Sequence, residues 1–165
     1  MDEHEFQQAR EQFNQCPCPF EKAILSSRCF CTKCQRLNIA EREMAACVSS
    51  MAQARCVVLL EQLYKNARFA IKQVRLDSPQ PHAKVMKVQC GGLLGLQSVI
   101  ISSEECSIVV SEECFGMKQI KNIDALVTQA LDIWDRIENF PYQEIVKFIS
   151  HYHIRAKHAY HKICE

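Results

Sequence analysis

The sequence predicts an α+β fold that is mainly helical: an antiparallel helical bundle with a long helix, a small inserted antiparallel sheet and an N-terminal cysteine-rich loop. Three observations predict this class. Apolar residues recur at helical spacing in long stretches, a short alternating run is followed by two glycines, and six of the eleven cysteines lie between Cys16 and Cys47. The 165 residues are expected to form a single domain, 1–165.

The cysteine-rich segment, residues 1–38, precedes the predicted long helix, residues 39–76. Asn38 is a suitable N-cap, Glu41 completes a capping box, and neither Gly nor Pro occurs from Ile39 to Arg75. The sequence DSPQP at residues 77–81 then ends the helix. Its apolar stripe has helical spacing and consists of Cys56, Leu59, Leu60, Leu63, Ala67, Ala70, Ile71 and Val74.

A small β segment is predicted over residues 83–117. Residues 84–90, KVMKVQC, alternate in polarity, and Gly91-Gly92 is typical of a turn. The runs 93–101 and 107–110 supply two further short strands of an antiparallel sheet. The glycines of this segment match neither G-x-G-x-x-G nor a P-loop, so nucleotide binding is not predicted.

The remaining residues, 122–164, predict a helical hairpin. Asn122 caps the helix 123–138, and Pro141 suits the first turn of the final helix. The link between them, Asn139-Phe140, is short and favours antiparallel packing. The histidines of the final helix, from His151 to His161, lie off its apolar stripe and are expected on a solvated face.

Composition excludes several classes of function. The formal net charge of +1 provides no field for nucleic acid, and no apolar run reaches the length of a membrane span. The N-terminal sequence MDEHEFQQAREQ has neither the basic nor the apolar region of a secretory signal. The chain is therefore expected to be cytoplasmic, where crowded cysteines indicate metal binding or catalysis more than disulfides.

The cysteine-rich stretch is the candidate site, and its spacing is C-x-C, ten residues, C-x-C-x2-C, twelve residues, C. Cys31 and Cys34 have the knuckle spacing that lets two thiolates reach one ion. An apolar surrounding without glycine, together with the two Cys-Pro pairs, favours an iron–sulfur cluster over zinc. The expected ligands are Cys16, Cys18, Cys29, Cys31, Cys34 and Cys47.

The leading hypothesis is an iron–sulfur protein in electron transfer, redox sensing or assistance to a redox enzyme. A zinc-stapled protein-interaction module and a metal-free thiol enzyme using Cys31 and Cys34 remain as alternatives. The partner is expected to be a protein, either a redox enzyme or a second copy bound through the long helix. The remaining cysteines are expected to be structural: Cys56 in the core, and Cys90, Cys106, Cys114 and Cys164.

Overall fold

The computed structural model describes residues 2–72, 79–104 and 119–154. Helices and one two-stranded antiparallel sheet make up these ranges, which confirms the mixed α and β content. The α-helices are α1 Glu3–Phe13, α2 Glu21–Leu25, α3 Ser50–Ala67, α4 His82–Met86, α5 Gly92–Glu104, α6 Ile123–Trp134 and α7 Tyr142–His151. The strands are β1 Cys34–Ile39 and β2 Arg42–Cys47; a π turn covers Lys87–Gly91 and a 3₁₀ turn covers Ile137–Asn139.

The sheet is a hairpin that lies where the sequence predicted the start of the long helix. Its register runs from Cys34 opposite Cys47 to Ile39 opposite Arg42, which leaves a two-residue turn. Ala40 in that turn has φ 53°, a left-handed conformation that usually belongs to Gly or Asn. The prediction of one helix over residues 39–76, capped by Asn38, is therefore wrong.

Helix α3 begins only after the hairpin, at a different cap. The Ser49 hydroxyl accepts a hydrogen bond from the Ala52 N–H at 3.2 Å, as an N-cap side chain does. The predicted helical stripe is confirmed within α3, whereas Leu60 is only half-buried, Ala70 is exposed and Val74 lies outside the described residues. The buried side chains of α3 are Ala52, Cys56, Leu59, Leu63 and Ala67.

The predicted β segment 83–117 is wrong for residues 83–104, which are helical throughout α4, the π turn and α5. The alternating run 84–90 resembled a strand, but Val85, Met86, Val88, Gln89 and Cys90 are all buried. A helix that is buried nearly all round is a core helix and does not need an amphipathic pattern. The predicted strand 107–110 lies outside the described residues.

Gly91 in the π turn and Gly95 in α5 let this helical segment, here called the central helix (residues 82–104), approach the backbone of α7 closely. A Cβ on Gly91 would lie 2.8 Å from the Ile149 Cα, and one on Gly95 would lie 2.9 Å from the Ile145 carbonyl oxygen. Real side chains essentially never approach that closely. Gly91 and Gly95 therefore serve close helix packing, and the predicted Gly91-Gly92 turn is absent.

Both helices predicted for residues 122–164 are present and shorter than predicted, but each packs on α3 and α5, so the expected antiparallel contact between them is not seen among the described residues. Helix α6 ends at Trp134 with a 3₁₀ turn after it, and α7 starts directly after Pro141. The backbone leaves the helix at Tyr152, with φ −66° and ψ 129°. The histidines beyond His153 lie outside the described residues.

The core forms where α3, the π turn, α5, α6 and α7 pack on one another, with α2 and β2 closing one side. The segment His82–Ser103 is long and apolar enough to cross a membrane by length and composition alone, with mean hydropathy 1.3. This differs from the expectation that no stretch is long enough. However, 67% of that window is buried inside the fold, as in the core helix of a globular domain.

Candidate functional site

Five thiols line one small pocket between the N-terminal segment, the hairpin and α3, here called the cysteine pocket. Its volume is about 10 Å³. Apolar walls are supplied by Phe20, Ala52 and Ile123. The five thiols are those of Cys18, Cys31, Cys34, Cys47 and Cys56.

The knuckle Cys31–Cys34 is fixed against the start of α6. The Cys34 N–H donates to the Cys31 carbonyl at 3.2 Å, which closes a tight turn with both side chains at the pocket. Asn122, the predicted N-cap of α6, accepts hydrogen bonds from the Thr32 N–H at 3.2 Å and the Thr32 hydroxyl at 3.3 Å. Its side chain therefore holds the knuckle and makes no capping bond within α6.

Cys34 and Cys47 face each other across the hairpin. The Val48 N–H donates to Lys33 at 2.9 Å, whereas the Cys47 N–H points the other way and donates to Cys16 at 2.7 Å. This pattern defines a non-hydrogen-bonded pair, in which the Cα atoms are typically about 4.5 Å apart. The Cys47 thiol is also hydrogen-bonded to the Ser49 carbonyl at 3.2 Å.

Cys18 reaches the pocket because its loop pairs with β2. Its N–H donates to the Ala45 carbonyl at 2.9 Å, and Pro17 forms a β-bridge with Ala46. The Phe20 N–H donates a hydrogen bond to the Cys18 sulfur. Backbone N–H donors of this kind orient and stabilise sulfur ligands in metal sites.

Burial raises the pKa of three thiols at this pocket, and neighbouring sulfurs raise it further. Burial is the largest cause of the raised pKa of Cys18, and the nearby Cys34, Cys56 and Cys31 raise it further. Burial and then the neighbouring Cys31 and Cys47 raise the pKa of Cys56 to about 12. The pKa of Cys34 is raised by burial and by Cys31. These effects require the sulfurs to be near one another and keep the unligated thiols neutral.

The structure brings together four of the six cysteines predicted as ligands: Cys18, Cys31, Cys34 and Cys47. Cys16 and Cys29 are not among the residues that line this pocket, so their place in the predicted ligand set stays a prediction. Cys56 joins the four that do, because Cys47 lies on a strand and not on the same helix. Among residues 2–72, 79–104 and 119–154, no three His, Cys, Asp or Glu side chains already form a group that could hold a metal ion.

Cys29 belongs instead to a second site, here called the dithiol pocket, which is an open cavity of about 290 Å³. It shares this pocket with Cys90, the π-turn residue that was expected to be only structural, and each thiol shifts the pKa of the other. Both thiols are about 1% exposed. The other lining residues are Ser27, Arg28, Leu94, Gln119 and Tyr152.

Arg28 and Tyr152 complete the polar surroundings of the dithiol pocket. The Arg28 guanidinium donates to the Tyr152 hydroxyl at 3.2 Å and also to the Ile154 carbonyl. The Tyr152 hydroxyl in turn bonds to Cys90. The neighbouring Cys29, Tyr152 and Arg28 lower the pKa of Cys90 against the opposing effect of burial.

The fold and its two thiol sites define an α+β protein with a small hairpin and eight free cysteines among the described residues. Comparisons with family models, curated proteins and solved structures found no match to this chain.

Proposed function

We propose that the chain binds one zinc ion in the cysteine pocket through Cys18, Cys31, Cys34 and Cys56, and that the ion staples a protein-interaction module. The observation that carries this proposal is the meeting of thiols from the N-terminal loop, the knuckle and α3 at a single small pocket. Four thiolates around one ion form the usual structural zinc site. Binding requires these side chains to turn from the pocket wall toward a common centre.

The four proposed ligands are chosen from the five thiols by comparing which of them raise the pKa of Cys18. Cys31, Cys34 and Cys56 all raise the pKa of Cys18, whereas Cys47 raises the pKa of Cys34 and Cys56 but not that of Cys18. The Cys47 thiol is also already hydrogen-bonded to the Ser49 carbonyl. Cys47 therefore lies at the edge of the proposed site.

The size of the pocket favours zinc over the iron–sulfur cluster expected from the sequence. A volume of about 10 Å³ corresponds to one water-sized sphere. A cluster of several irons and sulfides needs more room, so the surrounding elements would have to separate. Lys33 and Asp124 also line the pocket with opposite charges, and the Asp124 carboxylate is paired with Arg55 at 3.1 Å. The Lys33 charge therefore offsets part of the negative charge of four thiolates on one divalent ion.

The proposed ion acts on the fold, because its ligands come from segments that share little other structure. It links residues 18–34 to α3 and stabilises both, as structural zinc generally does. The outer face of α3 then offers Val57, Leu60 and Tyr64, which line an open apolar groove, to a protein partner. The proposal keeps the single domain and the cytoplasmic location, and it assigns no nucleic-acid or membrane partner.

The direct experiment is elemental analysis of the full chain purified without chelators. We expect one zinc per chain, and less than a tenth of that in each of Cys18→Ser, Cys31→Ser, Cys34→Ser and Cys56→Ser. The matched control is Cys16→Ser, which removes a nearby cysteine outside the pocket and should keep its zinc. Metal-free protein would overturn the proposal, and matched iron and sulfide would support the iron–sulfur alternative instead.

A further inference from the structure

We propose that Cys29 and Cys90 form a redox-active dithiol, in which a hydroperoxide oxidises Cys90 and Cys29 resolves the product to a disulfide. The carrying observation is that two buried thiols line one open pocket, beside a tyrosine hydroxyl and a guanidinium that are hydrogen-bonded to each other. This site is separate from the cysteine pocket. It does not depend on whether a metal binds there.

The backbone that carries each thiol is fixed by hydrogen bonds, so the fold itself places both thiols at this pocket. The Cys29 N–H donates to the Ala23 carbonyl at 3.2 Å, and Cys29 forms a β-bridge with Ile120. Cys90 lies in a π turn, a helix irregularity that is frequent at functional sites. Gln89, its neighbour, donates to the Pro19 carbonyl at 3.0 Å and anchors the same N-terminal segment.

The neighbouring groups distinguish the roles of the two sulfurs. Cys29 and Tyr152 each lower the pKa of Cys90, so they stabilise negative charge on its sulfur. Arg28 adds positive charge and holds the Tyr152 hydroxyl in place. Cys90 is thus the attacking sulfur, and Cys29 is the resolving sulfur.

The chemistry balances with a hydroperoxide as the oxidant. The Cys90 sulfur attacks the terminal peroxide oxygen, the O–O bond breaks, and an alcohol or water leaves with the second oxygen. Cys90 becomes a sulfenic acid. The Cys29 sulfur then attacks the Cys90 sulfur, an S–S bond forms, and the hydroxyl departs as water with the Cys29 proton. Two thiols are oxidised and one peroxide is reduced.

The first test is disulfide mapping of the full-length wild-type protein. Reduced protein is treated with equimolar hydrogen peroxide, the remaining thiols are alkylated, and peptides are analysed by mass spectrometry. We expect the Cys29–Cys90 disulfide to form before any other. The main competitor is Cys34–Cys47, since facing non-hydrogen-bonded strand positions suit a disulfide. Prior formation of that bond with Cys29 and Cys90 still reduced would overturn the proposal.

The second test separates the two roles by trapping the sulfenic acid with dimedone. Cys29→Ser should accumulate the adduct at Cys90, whereas Cys90→Ser should form at least tenfold less adduct at Cys29. Tyr152→Phe should slow adduct formation about tenfold, the effect of one hydrogen bond to a charged group. The control is Tyr142→Phe, whose hydroxyl bonds to the Ile137 carbonyl away from the dithiol pocket. Equal rates in Tyr152→Phe and Tyr142→Phe, or no adduct at Cys90, would contradict the assigned roles.

Discussion

Gln89 shows how a single buried polar side chain fixes the position of the cysteine-rich segment. It is 4% exposed, accepts from the Ala23 N–H at 3.0 Å and donates to the Pro19 carbonyl at 3.0 Å. These two bonds tie α2 and the loop after Cys18 to the π turn. A buried amide whose donor and acceptor are both used is stabilising mainly because its partners would otherwise stay unpaired.

We therefore predict that Gln89→Leu lowers the free energy of unfolding by about 2–4 kcal/mol, because two buried backbone groups lose their partners. Urea denaturation followed by circular dichroism measures this change. Gln8→Leu on the exposed surface of α1 is the control and should stay within about 0.5 kcal/mol of the wild type. A Gln89→Leu protein as stable as that control would show that the two hydrogen bonds contribute nothing.

The Cys90 thiol gives a second prediction at this scale, because its surroundings lower its pKa. The thiolate is the nucleophile, so the alkylation rate at Cys90 should rise with pH at a midpoint below the ordinary thiol value. In metal-free protein Cys56, whose pKa burial raises to about 12, should stay protonated and unreactive over the same range. Iodoacetamide rates measured by mass spectrometry from pH 5 to 9 test this. A Cys90 midpoint near the ordinary thiol value of 9.0 would contradict it.

At the scale of elements, the sequence predicted the stripe of α3 and the start of α7, and it failed at the hairpin and over residues 83–104, where it predicted strands. The α3 stripe, Asn122 before α6 and Pro141 before α7 were visible as local patterns, although the Asn122 side chain bonds to Thr32 and makes no capping bond. The turn at Ala40 was not visible in this way, because a residue other than Gly or Asn adopts the left-handed conformation there. Long-range strand pairing stabilises that turn, and a local pattern cannot show such pairing.

The same limit governed the prediction of the site. The knuckle spacing of Cys31 and Cys34 was a sufficient local signal for two of the clustered thiols. Cys56 was missed because a continuous helix would have turned it away from Cys47, whereas the hairpin brings both to one pocket. Cys29 lines a different pocket together with Cys90, which is distant from it in the chain. Only the packing of the π turn on the N-terminal segment reveals that pair.

The glycines of the central helix provide a prediction at this scale. Gly95→Ala should lower the free energy of unfolding by about 1–3 kcal/mol, because its Cβ would meet the Ile145 backbone at 2.9 and 3.0 Å. Gly92→Ala should be closer to neutral. There the nearest atom, at 2.7 Å, ends the Leu63 side chain and can move, while Ala gains about 1 kcal/mol of helix propensity. Thermal or urea unfolding of both variants tests this, and equal losses would contradict the close approach of α5 and α7.

At the scale of the whole molecule, the proposed zinc couples the cysteine-rich segment to the helical core. Burial raises the pKa of the unligated Cys18, Cys34 and Cys56 thiols, so they are protonated near neutral pH. Binding must displace those protons. The affinity for zinc should accordingly increase as pH rises, and the stability that zinc provides should decline as pH falls.

The corresponding experiment is thermal unfolding with and without excess chelator. We expect the chelator to lower the melting temperature of the wild type and to leave Cys18→Ser almost unchanged, because that variant has already lost the ion. Isothermal titration in two buffers of different ionisation enthalpy counts the released protons. Binding without proton release would show that the ligands were already ionised, contrary to the effect of burial.

The most direct test of the metal site is zinc-edge X-ray absorption spectroscopy of the purified full chain. The account predicts a first shell of four sulfurs at about 2.3 Å, the zinc–thiolate distance. In Cys56→Ser, any zinc that is retained should have fewer than four sulfur neighbours. A wild-type first shell of nitrogen and oxygen alone, or protein without bound zinc, would contradict the four-thiolate site.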